Sequence, residues 1–131
     1  MTEIALLTTA LLFGGTVLYA FGFAAFVFNT LSAEIAGPLI RSAFPHFYLF
    51  VLATSTLACV LSFSTDAISA LLLALIALTT LLARQLLMPA INTATDEGAK
   101  SRFKILHTLS VVITLAHIVA AAVVIVRLSN G

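Results

Sequence analysis

Two stretches of the chain carry side chains that can do chemistry in otherwise bland surroundings. In "HTLSVVITLAH", His107, Ser110, Thr114 and His117 follow at intervals of three, four and three. That spacing puts all four on one helical face, which continues to Ala121 and Val124. In "ARQLLMPAIN", Arg84, Met88 and Asn92 recur every fourth residue around Pro89. Imidazoles can ligate haem iron or copper, or carry protons. Guanidinium and carboxamide groups hold anions and polar solutes. The bland counterpart for Ser110 and Thr114 is a hydroxyl bonded one turn back, or a bridge between helices. For His117 it is a neutral ring bonded to a threonine or a carbonyl. No Ser–His–acid set, paired carboxylates or phosphate-binding loop is present, so enzyme chemistry is not expected. Cys59 is the only cysteine, which excludes an internal disulfide and a CxxC centre.

The elements that must position these residues follow from composition. The chain is 62% apolar and 8% charged, where a soluble domain is about half apolar and a quarter charged. It therefore reads as an integral membrane protein whose first partner is the lipid bilayer. Neutral runs cover residues 4–33, 42–65, 67–83 and 105–126, against ~20 residues for a span. The third reaches that length by continuing through Arg84. The expectation is an all-α four-helix membrane bundle in one domain, with spans at about 4–29, 43–63, 66–92 and 103–128. Glu3 and the length of the first run argue for a span rather than a signal peptide. Residues 30–47 read as a connector broken by Pro38, with Pro45 near the first turn of the second helix. Ser64 or Thr65 should cap the third helix and Gly98 should end it. A net charge of +1 makes nucleic acid an unsuitable partner.

Four spans put both termini on one side. Arg41, Arg84, Lys100, Arg102 and Lys104 cluster with the other two loops, leaving Arg127 with the termini. The positive-inside rule then makes those loops cytoplasmic and the termini external. Asn29, His46, Arg84, Asn92, His107 and Ser110 fall in one depth zone at that end. The expected polar pocket uses Arg84, Asn92, His107, Ser110, Asn29 and Glu34, with His117 ~15 Å further along its helix. Arg84 is expected inside the bundle beside Glu34, Asn29 or His107; snorkelling is the competing reading. Pro89 should kink its helix and free the Gln85 carbonyl. Gly15, Tyr19, Gly22, Phe26 and Asn29 form one seam of the first helix, its glycines allowing close approach. A haem would need His107 with His46 at matching depth, and copper would need His107 with Met88; neither set is favoured.

The order of motifs resembles the bacterial four-span family grouped with eukaryotic transmembrane protein 205. "FGGTVLYAFGFAAFVFNTLSAEIAG", "FPHFY", "RQLLMPAIN" and "FKILHTLSVVI" carry the likeness. Its glycine-rich first helix, AG and FP connector, R-x-x-x-x-P-x-I-N motif and H-x-x-S map onto particular residues here. They are Gly14 and Gly15, Ala36 and Gly37, Phe44 and Pro45, Arg84, Pro89, Ile91 and Asn92, then His107 and Ser110. The resemblance implies a multi-pass protein of the bacterial inner membrane. The eukaryotic relative's link to platinum-drug resistance implies export or trafficking of a small polar solute or metal complex. Competing readings are a haem- or copper-binding redox protein and an accessory subunit of a larger membrane complex. Four spans are few for a solitary transporter, so a homo-oligomer or host complex is expected.

Overall fold

The computed structural model describes residues 1–131. Its four helices are α1 (Thr2–Thr30), α2 (Ala33–Ser62), α3 (Ala67–Asp96) and α4 (Lys100–Asn130), each long and apolar enough to cross a bilayer. Consecutive helices pack together and α4 closes back on α1, so the bundle is a ring. Leu7, Leu11, Leu71, Leu78, Val112 and Val119 are exposed on its outside. A face of this kind belongs in acyl chains, where Leu side chains are as comfortable as in a core. The architecture is that of a multi-pass membrane protein.

The helix ends follow local chemistry. Asp66, rather than Ser64 or Thr65, caps α3: its carboxylate accepts from the Ile68 N–H at 3.3 Å and from the Ser69 hydroxyl at 2.6 Å. Asp66 also takes two bonds from Arg127, at 2.8 and 3.1 Å, which neither hydroxyl residue could accept as a charge. At the other end of α3, Gly98 sits at φ 67°. The Ala99 N–H donates to the Ala94 carbonyl and the Gly98 N–H to that of Thr95, at 2.9 and 3.2 Å. These are the two bonds of a Schellman cap, which needs the left-handed conformation glycine adopts freely.

The largest departure from expectation is α2, which begins at Ala33 and runs through both Pro38 and Pro45. Each proline removes one intrahelical donor and crowds the carbonyl four residues back. Against that stands an aromatic cluster that holds the segment in place. Tyr19 stacks on Phe47 with ring centroids 5.1 Å apart and meets Phe44 edge-on at 6.1 Å. Its hydroxyl donates to the Ala43 carbonyl at 2.9 Å.

Two helices contain a wide, π-helical turn: α1 at Leu18–Phe23 and α3 at Ala83–Leu87. The second lies directly before Pro89, and the Met88 N–H reaches back five residues to Ala83. The expected disruption by Pro89 therefore takes the form of a wide turn within a continuous helix. A wide turn adds one residue, so everything beyond it is rotated by ~100° from its straight-helix position. In α1 the buried series Ala5, Thr9, Leu12, Thr16 resumes at Val27, with Ala20 and Ala24 half-buried. Gly22, Phe26 and Asn29, expected on the inner seam, are exposed.

Gly15 makes room on α1 for the Phe50 ring of α2. A Cβ there would overlap the Phe50 ring, whereas one on Gly14 would meet open space. Only the second glycine of the pair is required by packing.

Candidate functional site

At the end of the bundle holding the 31–32 and 97–99 turns, the four helices separate around a cavity of about 530 Å³. That is within the ordinary range for a small-molecule site. Contact between α1 and α4 is concentrated on Thr2–Val17 and falls away over Ala24–Thr30. The last third of α1 leans only on α2. Ala20, Phe21, Ala24 and Phe28 line one wall and Phe103, His107, Ser110, Val111 and Thr114 the facing one. α2 contributes Arg41, Phe44 and Tyr48, and α3 contributes Met88, Ile91, Asn92 and Thr95.

Of the expected pocket residues, Asn92, His107 and Ser110 line this cavity; Arg84, Asn29, Glu34 and His117 do not. The expected pocket was polar, but most of the lining is apolar. His107 stacks on Phe103, with centroids 5.5 Å apart and planes 7° from parallel. The Ser110 hydroxyl donates to the His107 carbonyl at 2.7 Å, that of Thr114 to Ser110 at 2.9 Å, and that of Thr95 to Ile91 at 2.9 Å. With their protons committed, these hydroxyls offer the cavity acceptor lone pairs only. Arg41 is held by Asp96 through two parallel bonds at 2.7 and 3.1 Å. This fork joins α2 to α3 at the cavity rim. In the sequence Arg41 counts only towards the basic bias and Asp96 carries no signal of its own. Arg41 reaches Asp96 from a turn of α2 that Pro38 makes hard to foresee as helix.

Arg84 is the clearest correction. Its Nη1 donates to the neighbouring Gln85 Oε1 at 3.0 Å and its Nε makes a long contact of 3.5 Å with the Pro45 carbonyl. Glu34 is exposed and forms no ion pair with it. The reason is the wide turn containing Arg84: the extra residue rotates it away from Met88 and Asn92, which face the cavity.

His117 belongs to a different setting. Its Nε2 lies 2.6 Å from the Thr79 hydroxyl, which donates to the Leu75 carbonyl at 2.7 Å. The shared contact therefore assigns the proton to Nε2 and the accepting role to Thr79. This bond ties α3 to α4 in mid-bundle. His46 is exposed on the outer face of α2. The three histidines thus have separate surroundings, and no three His, Cys, Asp or Glu side chains come together as a metal set. Along α4 the face carrying Ser110, Thr114 and His117 is half-buried and passes into buried Ala121, Val124 and Leu128, while Val112 and Val126 are exposed. Ile118 is half-buried, and His107, expected in the pocket, is largely exposed although it lines the cavity.

Neither a curated protein nor a solved structure matches the chain. The model of one family, described as a domain of unknown function (DUF4149), matches residues 7–100, which takes in nearly all of α1 and the whole of α2 and α3. The chain belongs to that family.

Proposed function

We propose that the protein is a non-catalytic membrane protein that holds, and passes on, a small molecule in the cavity between its four helices. The observation that carries this reading is the cavity itself: it draws on every helix and brings Asn92 of α3 together with His107 and Ser110 of α4. The two wide turns support it. One, at Leu18–Phe23, provides lining residues, and the other immediately precedes Met88. Such turns recur at functional sites because they re-aim side chains without breaking a helix. The likeness to the transmembrane protein 205 group, with its link to export or trafficking, points the same way. In this reading the cavity faces the cytoplasmic side of a bacterial inner membrane, an orientation the bias of basic residues supports. Work as a homo-oligomer or within a larger complex fits a unit of only four helices. Maleimide labelling of Thr95→Cys from outside intact cells would overturn the orientation; labelling of Ser129→Cys is the expected result.

The functional test is a thermal-shift screen of purified protein against polar solutes, metal complexes and amphiphiles, run beside Ser110→Phe. A bound ligand raises the melting temperature in proportion to its affinity. The expected result is stabilisation of the wild type by at least one compound that leaves the plugged variant unmoved. Stabilisation of both proteins alike, or of neither, contradicts the reading.

A further inference from the structure

We propose that the cavity takes a neutral amphiphile from the bilayer, a flat ring bearing carbonyl or hydroxyl oxygens on an apolar tail, admitted sideways between α1 and α4. This rests on the cavity being a ligand site, and it names what that site recognises.

The route comes from the packing. α1 and α4 are in register over Thr2–Val17 and part company over Ala24–Thr30. The two helices are neighbours in the ring, so we read the gap between them as opening on the flank of the bundle. Phe21 and Phe28 flank it on α1, and both are exposed. A molecule already dissolved among acyl chains meets this opening first.

The head group is set by the donors left over. Asn92 and His107, on facing helices, line the cavity and have no hydrogen-bond partner in the protein, whereas Ser110, Thr114 and Thr95 have spent their protons. The carboxamide N–H groups and the imidazole N–H offer a ligand donors, which oxygen atoms on a ring accept well. The charge argument excludes an anionic head. Arg41, the only cation lining the cavity, is neutralised by its fork with Asp96, and Lys100, Arg102 and Lys104 lie outside the lining. A phosphate would enter with no free cation to meet it. The walls favour a ring: Phe44, Tyr48, Phe103 and the His107 imidazole stacked on Phe103 offer aromatic faces.

The chain has no tryptophan, so a single Phe103→Trp reports on the cavity and Phe63→Trp, at the far end of the bundle, serves as control. Quenching would be read in detergent with three probes: decylubiquinone, its tail-less benzoquinone head, and dibrominated phosphatidylcholine. The expected result is saturable quenching by decylubiquinone at position 103 and only linear quenching at position 63. Adding Asn92→Leu or His107→Leu should weaken it roughly tenfold, the effect of one lost hydrogen bond to the ligand. The bare head should bind at least as much more weakly. Because those variants could disturb folding, Ser110→Phe, which fills the space and keeps both donors, should abolish saturation while melting near the parent. If the bare head saturates as well as decylubiquinone, the membrane route and the tail are wrong, though the cavity remains a ligand site. Saturation by the brominated phospholipid, with displacement of decylubiquinone, makes it a phospholipid seat and overturns the head-group assignment. Linear quenching at both positions by all probes defeats this inference, while the proposed function stands or falls by the thermal-shift screen.

Discussion

The two ends of the bundle are built from the same four helices and differ in almost every physical respect. At the end carrying the chain termini, Ala5, Leu12, Leu73, Ile76, Val124 and Leu128 are buried against one another. The hydroxyls buried there mostly close on their own helices: Thr9 on Ala5, Thr16 on Leu12, Ser55 on Val51. Arg127 and Asp66 lock the rim. At the other end α4 has no buried residue before Ala121, and the helices stand around a cavity. The transition falls at the wide turns of α1 and α3. The contrast teaches that two inserted residues can convert a close-packed bundle into a binding chamber without a loop or a break.

The contrast can be broken by substitution. Leu73→Ala at the closed end should cost ~2–5 kcal/mol, since nothing can collapse into the space. Val111→Ala on the cavity wall should cost under ~1 kcal/mol because the space is already there. Equal losses in chemical denaturation would erase the distinction. Next in size is the glycine pair. Gly15→Ala should destabilise by ~1–3 kcal/mol by pressing on Phe50, while Gly14→Ala should be neutral or slightly stabilising through helix propensity. The Thr79–His117 bond sharpens the position of the boundary. Thr79→Val should cost ~1 kcal/mol. The loss should shrink when His117→Leu is already present, a coupling that a double-mutant cycle reads directly.

The smallest effect is expected at the Asp66 clamp. The Arg127 guanidinium and the Ser69 hydroxyl hold the Asp66 carboxyl well below the usual carboxylate range. A depressed folded-state value means the contribution is complete above the unfolded value near pH 4 and is lost only as pH falls through the lower, folded one. Melting temperature should therefore not respond to this group between pH 5 and 8, a window chosen to sit above the ordinary carboxylate range. Asp66→Asn keeps a competent cap and loses the ion pair, so it should lower the melting point only slightly. A large drop would mean that the rim, not the core beneath it, holds the closed end together.

Much of this was legible in the residues. Four spans follow from the neutral runs, and Gly98 announces its cap because a left-handed position after an apolar helix calls for glycine. The face of α4 from Ser110 to Val124 follows from spacing alone because α4 contains no wide turn. Two of the misplaced residues share a cause. Asn29 and Arg84 lie beyond or within a wide turn, where a period of 3.6 no longer predicts direction. Pro89 signals the disruption in α3, but nothing comparable marks Leu18–Phe23 in α1. The early start of α2 was hidden for another reason: Pro38 and Pro45 carry a strong local signal, and the stacking of Tyr19, Phe44 and Phe47 that overrides it is tertiary.

The central claim, an open chamber at one end and a dry core at the other, is tested most directly by thiol reactivity. With Cys59→Ala removing the native thiol, Ser110→Cys and Ser55→Cys place one cysteine in each environment, since Ser110 lines the cavity and Ser55 is fully buried. The two would be reacted with N-ethylmaleimide in the folded, detergent-solubilised protein and again after denaturation. The account predicts prompt modification at position 110 and none at position 55 until the protein unfolds. Protection at both positions, or equal reactivity at both, would contradict it.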